Sequence, residues 1–201
     1  MIVVVDYNMG NIGSIISMLK RLKIESIITS DKNIIKKADK LILPGVGSFD
    51  KAFNNIKKLD LFDTLNVKAV SDKIPILGIC LGMQLLTNSS EEGNEKGFGW
   101  IDSETCRFKN DGTIKIPHMG WNNVIRSSNS SLTNNLIEDS RFYFVHSYYV
   151  KVNNENNSIL KTTHSIEFDS AIQKDNIFGV QFHPEKSHKY GMQLLENFVN
   201  I

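Results

Sequence analysis

The chain has 201 residues, of which 41% are hydrophobic and 22% charged, and these proportions predict one globular domain spanning 1–201. Its net charge of +1 gives no sign of a nucleic-acid or membrane partner. The apolar runs are too short for a signal sequence or a membrane span. The two cysteines, Cys80 and Cys106, do not suggest a disulfide framework, so we expect a reduced, cytoplasmic protein.

The first half of the chain alternates strand and helix patterns. Ile2-Val3-Val4-Val5 is a continuous apolar run typical of a buried parallel strand, and apolar residues recur at helical spacing from Ile12 to Leu22. Strands are further predicted at 24–29, 41–43 and 74–79, and a helical stretch around 49–65. The alternation predicts an α/β fold with an open, doubly wound, mostly parallel sheet flanked by helices.

The second half reads as an added antiparallel region. Short strands are predicted at 100–108, 121–125, 142–145, 148–152 and 159–164, with a polar loop at 127–135. A closing hairpin is expected around Lys174-Asp175-Asn176, and a final helix after Pro184-Glu185 carries Leu194, Leu195 and Phe198 on one face.

A cysteine stands in a glycine frame, Gly78-Ile79-Cys80-Leu81-Gly82, between an apolar strand and a helix-like run. Strand, sharp turn and helix form the context of a nucleophile elbow, in which flanking glycines allow the tight bend. A thiol nucleophile needs a base, and His183-Pro184-Glu185 at the end of another strand offers an imidazole and a carboxylate to orient it. The alternative is a buried structural thiol and an ordinary histidine at a strand end.

Acyl transfer also requires an oxyanion hole. One donor is expected to be the N–H of Leu81, the residue after the nucleophile. A second is expected from Pro44-Gly45-Val46-Gly47, which follows the third strand, through Val46 or Gly47. The alternative for this segment is a plain glycine turn.

These motifs together resemble class I (triad) glutamine amidotransferases. The resemblance rests on Leu77 to Gln84 and Gly179 to Glu185, and it covers essentially the whole chain. The oxyanion segment, Pro117-His118-Met119-Gly120-Trp121-Asn122 and Glu185-Lys186-Ser187 narrow it to glutaminase subunits of imidazole glycerol phosphate synthase.

The resemblance implies roles for particular residues. Cys80 would attack the side-chain amide of L-glutamine, His183 would carry the proton, and Glu185 would orient His183. Gly47 and Gln84 would hold the glutamine together with Ser147 and Tyr148. Neither a metal nor an organic cofactor is expected, and the histidines do not show a metal-ligand spacing.

The resemblance also implies a partner. Ammonia released into neutral water is mostly protonated and no longer nucleophilic, so it must pass directly to an acceptor site. In the family the partner is a (β/α)8 barrel of the cyclase type, giving a heterodimer. Trp121 would be an interface aromatic, with Asn11 and Lys186 nearby. The alternative for Trp121 is a core position in a strand.

Two segments resemble instead the corresponding segments of paralogous subunits encoded among surface-polysaccharide genes: Phe98-Gly99-Trp100-Ile101-Asp102 and Asp6 to Asn11. In those, ammonia is thought to go to an N-acetyl sugar amidotransferase system. We expect the histidine pathway and keep the sugar-amidating paralogue as the alternative. Two other classes are weaker: a stand-alone cysteine hydrolase or peptidase, which leaves Gln84 and the Pro117 to Asn122 motif unexplained, and a non-catalytic subunit with a relic site.

Overall fold

The computed structural model describes residues 1–10, 12–109, 112 and 115–201. A mixed sheet dominates it. The strands of the first half are β1 (Ile2–Val5), β2 (Ser26–Thr29), β3 (Lys40–Leu43), β4 (Ile76–Ile79) and β5 (Ser89–Ser90). Strands β2, β1, β3 and β4 lie side by side in that order, and all three pairs are parallel. The predicted α/β fold with a doubly wound sheet is confirmed.

The strands of the second half are β6 (Ser103–Arg107), β7 (His118–Asn123), β8 (Ile125–Arg126), β9 (Arg141–His146), β10 (Tyr148–Val152), β11 (Ser158–His164), β12 (Ile166–Lys174) and β13 (Ile177–Val180). The pairs β12-β13, β10-β12, β6-β10 and β11-β12 are antiparallel, as predicted for this region. The hairpin around Lys174-Asp175-Asn176 joins β12 to β13. The strand order of the large sheet is β2-β1-β3-β4-β13-β12-β10-β6-β5, in which β4 and β13 are parallel. Strands β7 and β9 form a separate antiparallel sheet.

The helices are α1 (Ile12–Arg21), α2 (Lys32–Ile35), α3 (Phe49–Lys58), α4 (Phe62–Asn66), α5 (Leu81–Leu85) and α6 (His188–Val199), and a π-helical turn at Val67–Ser71 extends α4. The helical stretch expected around 49–65 is divided into two helices, because Asp60 takes a left-handed φ of 55° that ends α3 before α4 begins. No helix in the described ranges is long and apolar enough to cross a membrane.

Two apolar clusters cover the two faces of the sheet. Along β1, Val3 and Val5 belong to one cluster, whereas Ile2 and Val4 belong to the other. This alternation follows from the two-residue period of a strand. Helix α3 packs on the first face, and α1 and α6 pack on the second. Burial on both faces explains why β1 reads as an uninterrupted apolar run.

Candidate active site

The strand order brings three sequence motifs to one edge of the sheet. Strand β4, which leads to Cys80, lies between β3 and β13, and the register pairs Leu43 with Gly78 and Ile79 with Val180. Cys80 therefore lies beside the glycine-rich loop that follows β3 and beside the segment after β13 that carries His183. Side chains that follow parallel strands meet at the carboxyl edge, which is where α/β folds usually bind ligands.

Cys80 occupies a sharp turn between β4 and α5. Its φ of 54° and ψ of −108° are unusual for a residue with a side chain. Close backbone packing on both sides of the turn holds Cys80 in this conformation. A Cβ on Gly78 would lie 2.5 Å from the Gly82 carbonyl oxygen, and one on Gly82 would lie 1.8 Å from the Leu43 carbonyl oxygen. Both framing glycines are thus required by close backbone contacts rather than by flexibility.

His183 and Glu185 form a buried pair. The Nδ1 atom of His183 lies 2.7 Å from Oε1 of Glu185, and both side chains are less than 5% exposed. The Nε2 atom of His183 is buried without a hydrogen-bond partner among the described residues, so it is available to a reacting group. Burial disfavours the charged imidazole, but interactions with Cys80 and Glu185 outweigh this cost and raise the pKa of His183 to about 10.

Hydrogen bonds to β9 fix the segment that carries His183. The His183 N–H donates to the Tyr143 carbonyl oxygen at 2.9 Å, and the Ser187 hydroxyl donates to the His183 carbonyl oxygen at 2.6 Å. The same Ser187 oxygen accepts the Tyr143 N–H at 3.0 Å. The imidazole is therefore held by its own backbone as well as by Glu185.

The expected oxyanion donor is occupied in this conformation. The Leu81 N–H donates to the Gly45 carbonyl oxygen at 3.3 Å, so it is not free to meet a negative oxygen. The loop after β3 turns its own carbonyl toward the predicted donor at Leu81, so the role of Leu81 in an oxyanion hole stays a prediction. The Tyr7 hydroxyl donates to the neighbouring Pro44 carbonyl. Burial, and to a smaller extent the nearby Cys80, raises the pKa of Tyr7 well above its ordinary value.

A cavity of about 410 Å³ opens beside Cys80. The sequence-predicted residues at its wall are Val46, Gly47, Cys80, Leu81, Gln84, Ser147 and Tyr148, and the remaining lining residues are Glu92, Pro117, Val145 and His146. Gly47 has a left-handed φ of 114°, and Val46 is 43% exposed. The structure therefore gathers around one cavity the residues that the sequence assigned to oxyanion and glutamine binding.

Sequence reasoning missed Glu92, the one carboxylate among the described residues of this wall. Its Oε2 accepts the Phe49 N–H at 2.9 Å, and burial raises the pKa of Glu92 above its ordinary value. The loop that carries it is held by Asp50, whose Oδ1 accepts the N–H groups of Asn94 and Glu95, each at 3.0 Å. No sequence motif marks Glu92, because only this loop geometry brings it to the cavity.

Two of the residues predicted at a partner interface lie together outside the cavity. Trp121 on β7 is 43% exposed and not in the core, and its ring centroid lies 6.3 Å from that of Tyr143. The exposed Lys186 places Nζ 5.5 Å from the centroid of the same tyrosine ring. Asn11 lies outside the described residues. Lys186 directly follows Glu185, so this exposed aromatic surface adjoins the His–Glu pair.

The glutamine amidotransferase class-I family model matches residues 3–201. The chain belongs to this family. A relative from Methanococcus maripaludis named imidazole glycerol phosphate synthase subunit HisH 2 is 58% identical over 199 residues, which are 99% of this chain and 98% of that protein. A protein of the same name from Pseudomonas aeruginosa is 45% identical over the full length of both chains.

Solved structures of the family share the fold. A structure described as a glutamine amidotransferase superposes with a TM-score of 0.78 at 16% identity, covering 98% of this chain and 97% of that one. A glutamine amidotransferase from Thermotoga maritima gives 0.65 at 15% identity, covering 99% of this chain and 82% of that one. Family membership argues against a stand-alone cysteine peptidase. The described residues contain no cluster of His, Cys, Asp and Glu fit to hold a metal ion.

Proposed function

We propose that this protein is the glutaminase subunit of an imidazole glycerol phosphate synthase, acting as one domain over 1–201. It hydrolyses L-glutamine to glutamate and ammonia and passes the ammonia to a cyclase subunit. The observation that carries the proposal is the adjacency of β4 and β13, which sets the buried His183–Glu185 pair at the same edge of the sheet as Cys80, and Cys80 lines a cavity of about 410 Å³. Full-length relatives named as subunits of that synthase support it.

The first half of the reaction forms a thioester. Cys80 gives its proton to Nε2 of His183, and the sulfur electron pair attacks the side-chain carbonyl carbon of glutamine. As the C–N bond breaks, His183 returns the proton to the leaving nitrogen, which departs as ammonia. Glu185 holds Nδ1 of His183 at 2.7 Å throughout, which orients the imidazole and stabilises its charged form.

The second half hydrolyses the γ-glutamyl thioester. His183 takes a proton from water, the oxygen attacks the thioester carbonyl carbon, and the C–S bond breaks to release glutamate and the Cys80 thiolate. Both halves pass through a tetrahedral oxyanion that needs the Leu81 N–H and a second donor from Val46 or Gly47. The Gly45 carbonyl must leave Leu81 for this, and the left-handed Gly47 beside it gives the loop room to rearrange.

The cavity wall suggests how glutamine is held. Glu92 provides a carboxylate for the α-ammonium group of the amino acid. Gln84 uses Nε2 to donate to the Tyr148 carbonyl and to Gln181, which leaves its Oε1 to accept a substrate N–H. Ser147 and Tyr148 complete the wall. These groups would bind the main-chain end of glutamine while its amide reaches Cys80.

A barrel-shaped cyclase subunit is the proposed partner. Trp121 and Lys186 lie on an exposed aromatic surface next to Glu185, so a subunit docked there would cover the exit from the site. Covering is required because ammonia becomes protonated in bulk water. We propose a heterodimer in the cytoplasm, formed through this surface and through Asn11.

A second acceptor remains a candidate. The names of the relatives from Methanococcus maripaludis and Pseudomonas aeruginosa both carry the numeral 2, as expected where one organism encodes more than one such subunit. A subunit of this kind would supply ammonia to an N-acetyl sugar amidotransferase for surface polysaccharide. The glutaminase chemistry is the same for both acceptors, so the identity of the barrel subunit that co-purifies with the protein decides between them.

The test of the glutaminase assignment is Cys80→Ala in the complex with that barrel subunit. We expect loss of glutamine-dependent product formation, with the partner still using added ammonium salts. Cys106→Ser is the matched control, because Cys106 is the other free thiol and does not line the cavity. Glutamine turnover that survives Cys80→Ala would show that the nucleophile is assigned wrongly.

A further inference from the structure

A buried amide contacts the sulfur of the proposed nucleophile. Gln181 directly follows β13 and is completely buried. Its Nε2 lies 3.7 Å from Sγ of Cys80, and its Oε1 accepts the Nε2 of Gln84 at 3.2 Å. Gln181 has no part in the triad, and the cavity wall does not include it. Its side chain therefore sits behind the nucleophile rather than beside the substrate.

The orientation of this amide is set by its neighbours. The Tyr148 carbonyl oxygen can only accept, and Nε2 of Gln84 lies 3.3 Å from it, so the NH₂ group of Gln84 faces Tyr148 and Gln181. Gln181 must then present its oxygen to Gln84 and its NH₂ group to Cys80. The side-chain amide of Gln181 is therefore oriented with an N–H donor toward the Cys80 sulfur.

His146 also donates to the Tyr148 carbonyl that accepts the hydrogen bond from Gln84. Nδ1 of His146 lies 2.7 Å from the same Tyr148 carbonyl, so it carries the proton and donates. Burial lowers the pKa of His146 to about 3, which keeps the ring neutral. Its Nε2 then accepts from Nδ1 of His118 at 2.9 Å. The Tyr148 carbonyl thus accepts hydrogen bonds from both His146 and Gln84. Gln84 in turn donates to Gln181, so the carbonyl fixes the orientation of both amides.

We propose that Gln181 is a catalytic residue whose side-chain N–H donates a hydrogen bond to the Cys80 sulfur and stabilises the thiolate. This inference rests on the proposed function, since it concerns the same nucleophile. In the ionisation step the thiol proton passes to Nε2 of His183, the electron pair stays on sulfur, and Gln181 keeps its own proton.

The hydrogen bond acts at two stages of the reaction. Before attack it increases the fraction of Cys80 present as thiolate, and hydrogen bonds to charged groups are stronger than neutral ones. In thioester hydrolysis sulfur is the leaving group, and a less basic thiolate leaves faster. A purely structural Gln181, satisfied by Gln84 alone, would stabilise the fold without affecting the ionisation of Cys80.

The experiment measures alkylation of Cys80 by iodoacetamide against pH in the full chain, on a Cys106→Ser background so that one thiol reacts. Gln181→Met removes the donor, and Gln181→Glu keeps the shape but sets an acceptor against sulfur. We expect the midpoint of both profiles to move to higher pH, and the rate at neutral pH to fall about tenfold, as for loss of one hydrogen bond to a charged group.

Gln173→Glu is the matched control, because Gln173 lies on β12 at the opposite end of the β12-β13 pair, where it donates to Asp175. Its alkylation profile should equal that of the parent. Folded Gln181→Met with the parent's profile would overturn the proposal. Glutamine hydrolysis by the parent is measured in parallel in the complex with its co-purified barrel subunit: absence of hydrolysis there rejects the proposed function, whereas alkylation does not depend on glutamine.

A second measurement avoids substitution at Gln181. In the Cys106→Ser chain labelled at glutamine side chains, the amide protons of Gln181 should shift in NMR spectra as Cys80 ionises, and the amide protons of Gln173 should not. Gln181 resonances that stay constant while Cys80 titrates would refute the hydrogen bond directly, even if the Gln181 variants fail to fold.

Discussion

The backbone N–H of Leu81 and the carbonyl oxygen of Gly45 form a 3.3 Å hydrogen bond across the proposed oxyanion position. Two neighbours restrict this arrangement: a Cβ on Gly45 would lie 2.7 Å from the Tyr7 hydroxyl oxygen and 2.9 Å from the Leu81 Cβ. The loop therefore packs closely against the elbow while its carbonyl uses the donor that catalysis needs. In this conformation the proposed oxyanion hole therefore lacks its Leu81 donor.

We predict from this contact that the isolated chain hydrolyses glutamine slowly. Loss of one oxyanion donor costs about 10²- to 10³-fold in kcat, so a barrel partner with its acceptor bound should accelerate hydrolysis by about that factor once the Gly45 carbonyl is displaced. The measurement compares glutaminase rates of the chain alone, with the co-purified barrel, and with barrel plus acceptor. Equal rates in the three conditions would rule out coupling through the loop.

The glycine frame of the elbow gives a stability prediction. A Cβ at Gly82 would lie 1.8 Å from the Leu43 carbonyl oxygen, and neither backbone segment can move without disturbing the β3-β4 pair. We expect Gly82→Ala to lower the free energy of unfolding by about 3 kcal/mol in urea denaturation.

Gly13→Ala is the control for that measurement. Gly13 is exposed in the first turn of α1, so alanine there should change the free energy of unfolding by less than about 1 kcal/mol. If Gly82→Ala is no less stable than the parent, the close approach of the elbow to β3 is not a constraint on the fold.

The sequence predicts the elbow at Cys80 and the His183-Pro184-Glu185 segment because each is a local motif. It cannot show that the segment after β13 lies against the elbow. Cys80 and Gln181 are separated by 101 positions, and their contact depends on β13 pairing with β4 after the antiparallel region has been inserted. Glu92 depends similarly on a loop capped by Asp50. The break between α3 and α4 also escapes periodicity, since a single left-handed residue, Asp60, produces it. Long-range pairing and single backbone angles leave no repeating pattern in a sequence.

Glu92 leads to a prediction about substrate affinity. If its carboxylate binds the α-ammonium of glutamine, Glu92→Gln should raise KM for glutamine about tenfold or more with a smaller change in kcat, since one charge-assisted contact is lost. Because burial raises the pKa of Glu92, the wild-type kcat/KM should fall on the acid side as this carboxyl becomes neutral, and Glu92→Gln should lack that decline.

Glu95→Gln serves as the control for affinity, because Glu95 lies in the same loop but pairs with the half-exposed Lys57. Surface ion pairs of this kind contribute little, so its KM should equal that of the parent. An unchanged KM for Glu92→Gln would remove Glu92 from the glutamine site.

The His183–Glu185 pair predicts a pH dependence of stability. The pKa of His183 rises from 6.5 to about 10 on folding, so its charged form stabilises the folded chain fully below pH 6.5, and this contribution is lost as the pH rises toward 10. We therefore expect the advantage of the wild type over His183→Gln in urea denaturation to shrink between these two pH values. An advantage that grows with pH across this window would contradict the proposed interaction with Cys80 and Glu185.

The exposed aromatic surface predicts the energetics of partner binding. Trp121 stacks on His188 with ring centroids 5.5 Å apart, and the Arg141 guanidinium lies 5.9 Å from the Trp121 ring, so the indole is held rigidly while it remains 43% exposed. Rigid aromatic residues of this kind are frequent hot spots, and loss of one costs about 2 kcal/mol or more, or about 30-fold in Kd. We expect Trp121→Ala to weaken binding of the barrel subunit by at least that factor in titration calorimetry.

Ile137→Ala, at a 59% exposed apolar residue on a segment packed near β8, should leave Kd unchanged. Equal losses at Trp121 and Ile137 would mean that the partner does not dock on the surface beside Glu185, and the route proposed for ammonia would then have to leave the site elsewhere.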